Sequence, residues 1–300
     1  MKTLSSITEE SSTCVKVPCT CGELFQGVLD GEPCLVSCPI DIFSTARIIE
    51  PAVQIPYGRK VGRALDWIHV RTNQMVGVEI TDPLPVGRGY GTSTADIGST
   101  LFAANQAFNL DLTSNEASKI AIEIEPTDST LFSGLTLFAH RTGSFNFYLG
   151  SAPAANVIIL DPGGMVDSED FNTHDWSDPL AKMVHEQKDA FLLLQQAVAA
   201  EDLYAIAEAS TISAKCHQAI LFNPLIESIQ PLAKQLRAAG ICRAHSGTII
   251  GLIFAKDTNL SDEVDYLKRK LPKQIQVRTV SLIGGGPILI YKSESEGDSR

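Results

Sequence analysis

Through most of the first fifty residues, apolar side chains alternate with polar ones or bunch into short runs. TCVKVPC, PCLVSCPI and IFSTARIIE are β-rich runs set off by Gly and Pro, and they predict three short strands between Thr13 and about Glu50. The spacing then changes. Residues 60–69 carry apolar positions at helical intervals, 75–82 alternate as a strand, and DIGSTLFAANQAFN returns to a helical period. A further helix is predicted from about Ser114 to Glu125, capped by Thr113 or Ser114, with Glu116 in its first turn and Pro126 ending it. Residues 134–140 and 144–150 read as a hairpin about Arg141-Thr142-Gly143, and 155–161 as the next strand. The second half opens with helical stretches at 178–200, 202–220 and 223–239, the last closed by Gly240. Strands at 241–246 and 248–255, a helix at 261–271, and strands at 275–283 and 287–292 complete the pattern, with polar ends at 1–12 and 293–300 expected to fray. Strands first, helices in the middle and a βαβ-like close predict an α+β chain in two halves, not a repeating βα unit.

Composition narrows the classes. A chain of 300 residues with 44% apolar and 20% charged residues buries a substantial core, in one large domain or two intimate halves. The 24 Lys+Arg against 35 Asp+Glu give a net charge of −11, which repels a polyphosphate backbone, so no nucleic-acid partner is expected. The longest apolar stretches, such as Ile249 to Ala255, fall far short of the roughly 20 residues of a membrane span. MKTLSSITEESST lacks the apolar stretch of a secretory signal, and the expectation is a cytoplasmic protein without a membrane partner. Seven cysteines, an odd number, argue for reduced thiols. Five of them lie between Cys14 and Cys38, but their spacings do not repeat paired C-x2-C knuckles, and they read as small core residues rather than as a metal site.

The sharpest feature is Pro85-Val86-Gly87-Arg88-Gly89-Tyr90-Gly91-Thr92-Ser93-Thr94-Ala95, which joins a strand to a helix. Alternate glycines permit positive φ and a close backbone approach to a ligand. The hydroxyls of Thr92, Ser93 and Thr94 fall on the first helical turn, where unpaired N–H groups and the helix dipole favour an anion. This is the chemistry of a phosphate cradle. It is neither the dinucleotide pattern, since no later Gly follows at the required spacing, nor a P-loop, since the segment holds no Lys.

The segment resembles the second motif of the GHMP kinases, P-x-x-x-G-x-G-[ST]-S-x-A, with Tyr90, Thr92 and Thr94 where that family usually carries Leu, Ser and Ala. Val17 to Gly27 (VPCTCGELFQG) is similar to the family's first motif. Ala244-His245-Ser246-Gly247-Thr248 is similar to its Gly-rich third motif, with the glycines thinned to Gly247 and Gly251. The PCTCGELFQG and EPTDSTLFSG segments look like the branch that phosphorylates L-threonine for the aminopropanol arm of cobalamin synthesis.

The resemblance implies a two-lobed fold. An N-terminal mixed-sheet lobe (1–160) and a C-terminal ferredoxin-like lobe (161–300) would hold an ATP cleft between them. Residues Pro85 to Ala95, with Ser246 and Gly247, would bind ATP. Ser93 matches the family's Mg²⁺-contacting Ser, Glu125 the carboxylate that shares the metal (with Glu123 as fallback), and Asp128 the place of a base. Asp128 as a helix cap is the competing reading. Glu23, Gln26 and Arg141 are candidates to hold the charged groups of an amino-acid substrate, and His245 is placed to approach a phosphate. Two other readings stand beside an ATP- and Mg²⁺-dependent L-threonine kinase: a GHMP kinase for homoserine or a related amino alcohol, and a non-catalytic nucleotide- or metal-sensing protein.

Overall fold

The computed structural model describes residues 13–49, 58–166 and 182–290, together with Phe171, Trp176 and Pro179. The fraying expected of 1–12 and 293–300, the first residues of the 178–200 helix and the end of the 287–292 strand lie outside the described residues.

The three short strands expected at the start are two long ones, β1 (Cys14–Leu29) and β2 (Glu32–Ile49), paired antiparallel. Their turn is Asp30-Gly31, both at positive φ (50° and 86°), as a two-residue hairpin turn requires. The Gly and Pro residues that suggested strand ends instead accompany register shifts between Pro18 and Phe25, where β1 bulges and carries on. Helix α1 (Arg59–Thr72) leads to β3 (Gly77–Thr81), which pairs with β2. Helix α2 (Thr92–Phe108) packs on β1 and β2 and is buried along most of its length. Helix α3 (Ser114–Ile124) starts on a capping box in which Thr113 and Glu116 satisfy each other's backbone N–H groups. The hairpin β4 (Leu135–Phe138) and β5 (Asn146–Gly150) and strand β6 (Ala155–Asp161) follow the predicted order.

In the second half, α4 (Val184–Ala199) and α5 (Leu203–Cys216) pack together against β1. Helix α6 (Pro224–Gln235) ends before Gly240, contrary to expectation, and Arg237 at φ 57° turns the chain. Gly240 instead opens β7 (Gly240–Arg243), where a Cβ would lie 2.2 Å from the Ala207 carbonyl oxygen. Strand β8 (Ile250–Ala255), helix α7 (Ser261–Lys270) and strands β9 (Gln276–Leu282) and β10 (Ile288–Ile290) finish the described chain.

The α+β class agrees with the sequence reading. The sheet does not have the expected mixed character, since every strand pairing among the described residues is antiparallel. β1, β7, β8, β6, β9 and β2 pair in a closed ring. Two joints of that ring are single residue pairs, Glu23 with Arg243 and Ile40 with Leu282. The buried thiols of Cys21 and Cys38 both lie within hydrogen-bond reach of Cys242, packed against Gly251. Among the described residues no group of three or more His, Cys, Asp or Glu is arranged to hold a metal ion, and no helix is long and apolar enough to cross a membrane.

Candidate active site

Gly87, Gly89 and Gly91 all sit at positive φ (77°, 96° and 64°), so the turn before α2 takes a path that residues with a Cβ rarely follow. The path is also crowded. A Cβ on Gly89 would fall 2.1 Å from the Ala244 Cβ, and one on Gly91 2.6 Å from Asp128 Oδ2. All three sequence motifs meet here: Thr20 N donates to the Tyr90 carbonyl (2.7 Å), while Thr248 N and Ile249 N both donate to the Arg88 carbonyl (3.0 and 3.1 Å). The first i→i−4 bond of α2 runs from Ala95 N to the Gly91 carbonyl (3.0 Å). The N–H groups of Thr92, Ser93 and Thr94 therefore have no intrahelical partner.

They open into a cleft of about 690 Å³, solvent included, whose wall includes Val86, Gly87, Gly89, Tyr90, Gly91, Ser246 and the Thr92-Ser93-Thr94 run. Four of the residues expected to hold the nucleotide, Pro85, Arg88, Ala95 and Gly247, are not on this wall. Gly247 lies behind it, where a Cβ would meet the Arg88 backbone at 2.4 Å. The Arg88 guanidinium turns to Asp161 Oδ2 (2.9 Å).

One side of the cleft is acidic. The Ser93 hydroxyl donates to Glu125 Oε1, and Lys60 Nζ donates to Glu125 Oε2. Arg63, one turn along α1 from Lys60, donates to the carbonyls of Ile124 and Glu123 and so caps the end of α3. This brings Glu125 to Ser93 and leaves Glu123 exposed, so the fallback carboxylate is not at the cleft. Asp128 follows with its backbone N–H bonded to Thr94 Oγ1 (3.1 Å). Asp128 does precede a short 3-10 turn, Ser129–Leu131, but its side chain makes no capping bond there. Desolvation and the nearby Glu125 charge push its carboxyl up to about 6, against the lowering effect of Thr94.

The other side of the cleft is buried and polar. Glu23 and Gln26 are each 3% exposed. Glu23 lines the cleft while Gln26 stands behind His245, whose Nδ1 lies 2.7 Å from Gln26 Oε1. Burial and the charge of Asp128 hold Glu23 well above the usual carboxylate range. Burial, with Arg141 and Arg243 nearby, lowers His245 to about 3, so its ring is neutral. Arg141 follows β4 and is not on the cleft wall.

Two functional residues escaped the sequence reading. Lys60 looked like one more polar position on α1, and only the fold aims it at Glu125. Asp161 in DPGG reads as a turn residue, and indeed Gly163 N donates to its Oδ1 (2.9 Å). Its Oδ2 also receives Arg88 Nη1 and the Tyr90 hydroxyl (3.0 Å), tying the glycine turn to the end of β6. An Asp ending the apolar run of a predicted strand was the available signal.

With this geometry, residues 59–136 match the family model described as the GHMP kinases N terminal domain. In this segment the chain resembles the GHMP kinases, and it is an enzyme, a small-molecule kinase; the non-catalytic sensing alternative gives way. It is similar to the L-threonine kinase of Citrobacter freundii, at 29% identity over 264 residues covering 86% of this chain and 90% of that one. Its fold is similar to that of the homoserine kinase from Cytophaga hutchinsonii (TM-score 0.69, 15% identity, 94% of this chain and 98% of that one). It is also similar to MDDEF in complex with MVAPP, AMPPCP and magnesium (TM-score 0.68, 16% identity, 93% and 98%).

Proposed function

We propose that the protein transfers the γ-phosphoryl group of ATP to the side-chain hydroxyl of L-threonine, giving O-phospho-L-threonine and ADP. The observation that carries this reading is the position of Asp128. Its carboxylate lies against Gly91 at the mouth of α2, with the Ser93–Glu125 pair on the same wall. A phosphate seated on the first turn of α2 has oxygen donors for a cation on one side and a proton acceptor on the other.

The chemistry assigned to these residues is positioning and charge compensation. The N–H groups of Thr92, Ser93 and Thr94 hold phosphate oxygens, and Lys60 offsets negative charge on the transferring group. Ser93 and Glu125 are hard oxygen donors that suit Mg²⁺, which when bound neutralises charge on the β- and γ-phosphates. Asp128, ionised above about 6, takes the hydroxyl proton. The hydroxyl oxygen forms its bond to the γ-phosphorus as the bond to the β-phosphate oxygen breaks, and Asp128 then returns the proton to solvent.

L-threonine as acceptor is supported by the C. freundii relative, and ATP with Mg²⁺ by the AMPPCP and magnesium held by a protein of this fold. The reading includes a cytoplasmic setting, a product that feeds the aminopropanol arm of cobalamin synthesis, and two lobes dividing near residue 160. A buried cluster whose members all lie beyond residue 160, apart from Ile158 and Leu160 of β6, supports the second lobe. Homoserine is the rival acceptor, favoured by the fold of the C. hutchinsonii enzyme. Mass spectrometry of a mixture of hydroxyl amino acids with ATP and Mg²⁺ separates them. Phosphothreonine as the main product supports the proposal, and phosphohomoserine in excess overturns it.

A further inference from the structure

The inner end of the cleft concentrates buried polar atoms that have no hydrogen-bond partner. Glu23 Oε2, Gln26 Nε2 and His245 Nε2 are all in this state. Buried polar atoms are nearly always paired in a folded protein, because each one left bare costs about 1–3 kcal/mol. Several together beside a cleft point to a ligand that completes them.

The kind of ligand follows from which atoms are bare. With Gln26 Oε1 as acceptor, His245 Nδ1 carries the ring proton, and Nε2 presents its lone pair. The ring is fixed from several directions. His140 lies edge-on at 4.9 Å, Phe171 edge-on at 5.3 Å, and His217 Nε2 lies 2.8 Å from the His245 carbonyl oxygen. Glu23 and His245 both line the cleft. The same burial that raises the Glu23 carboxyl favours its protonated form when no cation is near, and an arriving positive charge favours release of that proton. The carboxylate oxygen and the imidazole lone pair are then both acceptors, satisfied at once by a group with several N–H donors and positive charge.

We propose that Glu23 Oε2 and His245 Nε2 receive the α-ammonium group of the acceptor substrate, and that Gln26 is the positioning residue that turns His245 to do so. This rests on the assignment of the cleft to a hydroxyl acceptor, and it makes the enzyme selective for alcohols that bear an amine. Glu23 stands at the joint where β1 and β7 share a single residue pair, and it lines the cleft. Asp128 lines the same cleft and acts on Glu23 electrostatically.

The test compares L-threonine with 3-hydroxybutyrate of the same configuration, the same skeleton without the amine. A site that must pair buried polar groups rejects the analogue lacking the partner by roughly 10⁴-fold, so the wild-type enzyme is expected to favour L-threonine in kcat/KM by at least about 10³-fold. In Glu23→Gln and His245→Phe that ratio should fall by roughly 100-fold or more through KM for L-threonine, with KM for ATP little moved. Gln26→Leu should fall between wild type and these, and Gln26→Glu, which keeps an oxygen facing Nδ1, should restore most of the preference.

A wild-type enzyme that binds the two compounds equally by calorimetry overturns the proposal, as do variants that lose both acceptors in equal proportion. If wild type phosphorylates no hydroxyl amino acid, the threonine reaction falls by itself. The amine site is then judged by the same calorimetry on amine-bearing alcohols and their amine-free counterparts, and equal binding overturns it.

Discussion

Ser93 and Glu125, 32 residues apart in sequence, are joined by a hydrogen bond from the hydroxyl of the first to the carboxylate of the second. The bond links the start of α2 to the end of α3, and Lys60 takes the other carboxylate oxygen. Glu125→Gln keeps the shape and removes the charge. Changes even one step removed from a bound metal typically cost 10–100-fold, so this variant should lose at least roughly 30-fold in kcat and need more Mg²⁺ for half-maximal activity. Ser93→Ala should move the same Mg²⁺ titration in the same direction. An unchanged Mg²⁺ requirement in both would remove the pair from the metal.

Asp128 gives a pH signature. As a base it works when ionised, so kcat/KM should climb through an apparent pKa near about 6 and level off above it. Asp128→Asn should cost about 10²-fold and flatten this limb.

The same shift predicts the opposite change in stability. Folding raises the Asp128 pKa from 3.8 to about 6, so the folded state binds the proton more tightly than the unfolded chain. Stability contributed by that proton is lost as pH rises from 3.8 toward 6 and stays lost above it. Asp128→Asn should therefore unfold at a higher temperature than wild type at pH 7.5. The advantage should shrink as the scans move from pH 6 toward pH 4.

Asp161 should matter to ATP more than to the acceptor. It is 2% exposed and holds both Arg88 and Tyr90 of the glycine turn. Asp161→Ala leaves the Arg88 guanidinium and the Tyr90 hydroxyl without that partner, at about 1.5–3 kcal/mol for a hydrogen bond to a charged group. Steady-state kinetics should show KM for ATP rising about tenfold or more, with KM for L-threonine nearly unchanged. Tyr90→Phe should show a smaller shift in the same direction.

Gly89→Ala combines positive φ with a 2.1 Å clash against the Ala244 Cβ. The left-handed conformation alone costs roughly 1–3 kcal/mol, so ATP binding by calorimetry and the denaturation midpoint should both fall. Gly62→Ala is the control. It lies inside α1 with nothing within 4 Å of its added methyl, and it should stabilise by about 0.5–1 kcal/mol.

The order and type of elements were largely legible because most carry clean local signals. The Thr113–Glu116 capping box and the alternation in 155–161 are examples. The glycine turn was legible for the same reason: helix start, glycines and hydroxyls are adjacent in sequence. What could not be read were relationships made by distant segments. The runs between Thr13 and Glu50 give no local sign that a bulged strand continues through Gly22, whose missing Cβ makes room for the Arg243 and Ala244 backbone. Lys60 and Asp161 gain their meaning only from partners 65 and 73 residues away. The α-helical period of 223–239 likewise could not reveal that Gly240 serves a strand packed on α5.

The closed ring of strands has a consequence for synthesis in the cell. Gln26 and its partner His245 are 219 residues apart, and the ring is shut only by β9. A polypeptide released before Gln276 leaves the margins of β2 and β6 bare, open to strands of other unfinished copies. Premature termination should therefore yield insoluble fragments rather than a weak kinase, and the glycine turn should gain ATP affinity only after translation has passed β9.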